Sequence, residues 1–128
     1  MTPTSSADRI AASALATLII LQTVMLASLY AGVPPHPPAA TPLFGIGPLI
    51  GASLSAATAA LVLGPRSTPA GRWFGLIAAA LALVSFGPQK FFDPQFAIIW
   101  PAVIGGQIAC AVLVWAFCKG LQGRGATA

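Results

Sequence analysis

Apolar residues in this chain come in long runs, and polar residues gather between them. No Asp, Glu, Lys or Arg occurs from Ile10 to Pro65, from Trp73 to Gln89, or from Pro94 to Cys118. A helix needs about 20 predominantly apolar residues to cross the hydrocarbon of a bilayer. Helix-starting signals cut these stretches into four. Thr41-Pro42, Thr68-Pro69 and Asp93-Pro94 each place a capping side chain before a proline, and Ser5 or Ser6 can cap the first run. A Thr or Asp oxygen accepts from the unpaired N–H groups of a first turn, where proline's missing N–H costs nothing. Gly32 with Pro34, Gly64-Pro65, Gly87-Pro88 and Gly120 mark the exits. The predicted spans are 8–31, 42–63, 69–87 and 94–118.

This pattern predicts an all-α integral membrane protein, one four-helix domain over residues 1–128. The short connections at 64–72 and Pro88–Asp93 make successive helices antiparallel, in an up-down bundle. Composition agrees: 57% of residues are hydrophobic and 6% charged, against about a quarter charged in a soluble domain. The first run, Ile10 to Tyr30, exceeds the usual apolar core of a signal peptide of about 7–15 residues. Leu29-Tyr30-Ala31 is also a poor cleavage site, so an uncleaved first span is expected.

Charge then sets the orientation. Arg9, Arg66, Arg72, Lys119 and Arg124 fall on one side of the four spans, and Lys90 alone on the other. Lys and Arg concentrate on the cytoplasmic side, so the expected topology is N-in/C-in. The expected location is a bacterial cytoplasmic (inner) membrane. Tyr30 and Trp100 then lie near the outer interface, and Trp73 and Trp115 near the inner one. The net charge of +4 is scattered, without the basic stripe that nucleic-acid binding needs.

Helix association in lipid favours small residues, because apolar side chains gain little by leaving apolar lipid. Gly47 and Gly51, four apart, then Ala52, Ala56 and Ala60, make the second span the expected centre of packing. Gly105 and Gly106 do the same for the fourth. Gln22 and Gln107 are the strongly polar side chains expected at depth, and both are read as interhelical contacts. Pro48 and Pro101 are expected to bend their helices, since each deletes a backbone hydrogen bond. Phe91, Phe92, Phe96 and Trp100 surround Lys90 and Asp93 as an interfacial docking surface.

Catalytic chemistry has little to work with. His36 is the sole histidine, on the proline-rich 32–40 loop, with no acid or cysteine near it in sequence. It is the one possible metal or pigment ligand, and a solvent-exposed loop residue is the plainer reading. Asp8 with Arg9 reads as an interfacial collar and Asp93 as a helix cap. Cys110 and Cys118 form no redox motif. No ionisable residue sits deep in a span, which argues against proton-coupled transport, and no cofactor or metal is called for. The expectation is a non-enzymatic structural, accessory or assembly subunit of a larger membrane complex, of respiratory or photosynthetic type. Its partners are the bilayer and other membrane subunits, or further copies of itself. The alternative is a small oligomeric transporter or channel for a neutral or hydrophobic solute.

Overall fold

A computed structural model describes residues 4–33 and 42–125. Four helices follow in order: α1 (Ser6–Ala31), α2 (Leu43–Leu63), α3 (Pro69–Phe86) and α4 (Phe96–Gly125), with a short 3₁₀ turn, Pro88–Phe92, between the last two. All four are long and apolar enough to span a membrane. The chain is therefore an all-helical membrane protein. α1 packs on α2 and α4, and α3 packs on the same two helices.

The start signals operate as local chemistry predicts. Ser5 Oγ accepts from the Asp8 N–H at 3.1 Å while the Asp8 carboxylate accepts from the Ser5 N–H at 3.2 Å, a reciprocal capping box. Thr68 Oγ1 accepts from the Gly71 N–H at 2.9 Å ahead of Pro69. Gly32, in the left-handed region at φ 65°, closes α1 by donating to carbonyls of its last turn. α2 begins one residue later than expected, after Pro42, without a side-chain cap. Thr41 and His36 lie outside the described residues, as does most of the 32–40 loop.

Two boundaries of α4 differ from the sequence expectation. Asp93 Oδ1 accepts from the Gln95 N–H at 2.9 Å, so it shapes a turn and the helix starts at Phe96. At the other end Gly120 does not stop the helix, which runs on to Gly125. A glycine inside a helix costs only about 1 kcal/mol relative to alanine, and here it leaves room for Arg66. A Cβ on Gly120 would meet the Arg66 guanidinium at 3.0 Å. Pro48 and Pro101 both lie inside helices, at exposed positions.

The interior combines small and branched residues. Ala11, Ala57, Ala60, Ala78, Ala82 and Ala116 let backbones approach, while Leu15, Leu18 and Leu113 fill the space between them. These contacts act through close packing. Large apolar side chains such as Ile20, Val62, Val84 and Ile108 face outward, as a lipid environment permits.

Candidate functional site

Gln22 is fully buried. Its Nε2 donates to Ser53 Oγ at 2.8 Å, and Ser53 Oγ donates in turn to the Ala78 carbonyl at 3.4 Å. One polar chain thus ties α1, α2 and α3 together. Gln22 Oε1 has no partner among the described residues. The small Ser53, needed here as an acceptor, carried no distinguishing signal in the sequence beyond its place among the alanines of α2.

Gln107 lies apart from Gln22 and does different work. α3 has 18 residues, which is about 27 Å of helix against roughly 30 Å of hydrocarbon. The last carbonyls of any helix lack an intrahelical partner, and left unpaired in an apolar setting each costs several kcal/mol. Gln107 Nε2 donates to the Phe86 carbonyl at 3.0 Å. Gln89 Nε2 donates to the Leu83 and Val84 carbonyls at 3.2 and 2.8 Å. Two glutamines, one from the following turn and one from the neighbouring helix, cap the short helix.

The four packing glycines separate by environment. A Cβ on Gly106 would lie 2.8–3.0 Å from the Phe86 side chain, so Gly106 admits that ring while Gln107 holds the carbonyl of the same residue. At Gly47 a Cβ would meet Tyr30 Oη at 3.2 Å, and at Gly105 the nearest atom would be Leu21 Cδ1 at 3.8 Å. Gly51 has nothing within 4 Å. Among the described residues α2 is therefore open at Gly51 but packed against Tyr30 at Gly47.

Charged contacts close the two ends. Arg66 Nη1 donates to Asp8 Oδ1 at 3.2 Å and to Ser5 Oγ at 3.1 Å, while Arg72 donates twice to the Arg66 carbonyl. Asp8 is thus the partner of Arg66 across the fold as well as the cap of its own helix. At the opposite end Lys90 Nζ donates to Asp93 Oδ2 at 3.2 Å. The Gln95 N–H bond, helped by Lys90 and opposed by partial burial, holds the Asp93 carboxyl below its ordinary range.

No family model matches the chain, and no curated protein or solved structure is significantly similar to it. The side chains must carry the functional reading. Phe91 and Phe96 pack with ring centroids 5.1 Å apart and planes tilted by 52°. Phe92 projects beside them, 91% exposed, and Trp100 is half exposed. At the same end of the fold lies a cavity of about 100 Å³, bordered by Met25, Ser28, Ser85, Lys90, Asp93 and Val103. Around the other end Trp73 is exposed, and Lys119 Nζ stands 5.5 Å from the centre of the Trp115 ring. Cys110 is buried and Cys118 exposed, both as free thiols. No cluster of three His, Cys, Asp or Glu side chains that could hold a metal occurs among the described residues. The arrangement offers contact surfaces and internal hydrogen bonds.

Proposed function

We propose that this protein is a non-enzymatic accessory or assembly subunit that packs against a larger membrane complex, of respiratory or photosynthetic type. In this reading the helices form an antiparallel up-down bundle in a bacterial inner membrane, with both termini in the cytoplasm. The sidedness of Arg9, Arg66, Arg72, Lys119 and Arg124 against Lys90 supports that orientation.

The observation that carries the proposal is the contrast between tightly packed helix junctions and outer surfaces left unspent. Inside, Leu15, Leu18 and Leu113 fill the helix junctions, and the Gln22 amide is directed to Ser53. Outside, a Cβ at Gly51 would meet no side chain among the described residues, and Phe92 and Trp100 project from the ledge. Close helix–helix approach uses small residues, and aromatic side chains are prominent anchors of protein interfaces. A partner helix against α2 and a partner surface over the ledge would use both.

Purification of a tagged chain from its native membrane in a mild detergent tests this. Co-elution with a larger membrane complex at fixed stoichiometry is expected. Elution as a lone homo-oligomer would defeat the proposal and favour a transporter or channel.

A further inference from the structure

A third surface, between α1 and α4, has a different chemistry. It is an open groove of about 630 Å³ whose lining includes Arg9, Ser13, Thr17, Gly105, Ala109 and Val112. That volume is in the usual range for small-ligand sites, about 300–1,000 Å³. Its polarity is graded. Arg9 and Ser6 stand at one end, and Gly105 and Ile108 at the other. At that second end the Thr17 hydroxyl is already used, donating to the Ser13 carbonyl at 2.9 Å, so the wall there offers apolar contact.

Among the described residues Arg9 has no ion-pair partner. The ion pairs among the described residues are Asp8 with Arg66 and Lys90 with Asp93, and Arg9 is exposed. It also adds a cation near the positive end of the α1 dipole, an unfavourable placement that a nearby anion would relieve. From Ser6 to Thr17 the groove follows about 16 Å of helix at 1.5 Å per residue. That is close to half the roughly 30 Å hydrocarbon thickness, the depth of one leaflet.

We propose that this groove binds one acidic phospholipid, with its phosphate at Arg9 and an acyl chain lying against Thr17, Ala109 and Gly105. The occupant is a lipid because anionic charge is wanted at the interfacial end and only hydrocarbon fits the deep end. The site is independent of the subunit reading.

Native mass spectrometry of the full chain, equilibrated with equal amounts of phosphatidylglycerol and phosphatidylcholine, reads the retained lipid directly. One phosphatidylglycerol per chain is expected. Arg9→Gln should lower the preference for phosphatidylglycerol about fivefold, matching the ~1 kcal/mol that one basic residue contributes near an acidic membrane surface. Arg9→Lys should keep most of it. Ser13→Phe, which fills the groove from an exposed position, should remove the retained lipid while leaving the helical circular dichroism spectrum unchanged. An unaltered lipid ratio in Arg9→Gln would overturn the proposal. So would a dimer that cross-links through Ser13→Cys when Cys110 and Cys118 are replaced by Ser, since a second copy would then occupy the groove.

Discussion

Replacing Ser53 by Ala should destabilise the bundle more than replacing the larger Gln22 by Leu. Gln22 Nε2 is fully buried and bonded to Ser53 Oγ at 2.8 Å, while Oε1 is already unpartnered. Ser53→Ala removes the acceptor and strands the amide in a dry interior. A buried polar group without a partner costs about 1–3 kcal/mol, and membrane measurements hold single side-chain bonds to about 1.7 kcal/mol at most. We therefore expect a loss of about 1–1.5 kcal/mol, in the overlap of those ranges. Gln22→Leu loses the same bond but also removes the stranded Oε1, and puts an apolar side chain of similar size in an apolar site. Its expected cost is about 0.5 kcal/mol, near the membrane average for one interhelical bond. The double variant should resemble Gln22→Leu, so the two costs should fail to add by about 1 kcal/mol. Unfolding in mixed micelles of rising denaturing-detergent fraction, followed by circular dichroism, supplies all four corners of the cycle. Additive costs, or a larger loss from Gln22→Leu, would refute the reasoning.

Three further outcomes can be checked with the same material. Gly106→Ala should cost about 1–3 kcal/mol by overpacking against Phe86, whereas Gly51→Ala, facing open space, should be neutral or stabilising by up to about 1 kcal/mol; unfolding midpoints moving in the opposite order would contradict this. Arg66→Gln should lower stability by about 1 kcal/mol, because it breaks the bonds to both Asp8 and Ser5, and Asp8→Asn combined with it should add little. The Asp93 carboxyl titrates below its ordinary value of 3.8 in the fold. Its stabilisation of the α3–α4 connection is therefore present above that value and is lost as pH falls through the lower folded one. Hydrogen exchange at the Gln95 amide, corrected for intrinsic rate, should lose protection only in that acidic window, and Asp93→Asn should abolish the dependence.

The four helices were legible in the sequence because the bilayer imposes a length and an apolar composition that few other settings tolerate. Local caps were legible for the same kind of reason: Ser5 with Asp8, and Thr68 with Pro69, act within one turn. Contacts between distant segments were not. Gln22 and Ser53 are 31 residues apart, and which serine meets the amide depends on the rotation of two helices about their axes. Gly51 and Gly106 look alike in sequence, yet one faces open space and the other the Phe86 ring. Gly120 read as a stop because glycine often ends helices; the approach of Arg66 that it permits comes from another connection altogether. Gln89 and Gln107 became interpretable only with the end of α3 at Phe86, whose last carbonyls they cap. The aromatic cluster around Lys90 and Asp93 was legible in the sequence, but the strong exposure of Phe92 beside the packed Phe91–Phe96 pair was not.

Site-specific photocrosslinking in the native membrane most directly tests whether this protein works by packing against a partner. A photoreactive residue at Phe92, or at Gly51 on the open edge of α2, should capture the same second membrane protein from both positions. Adducts confined to lipid, or to other copies of this chain, would contradict the account.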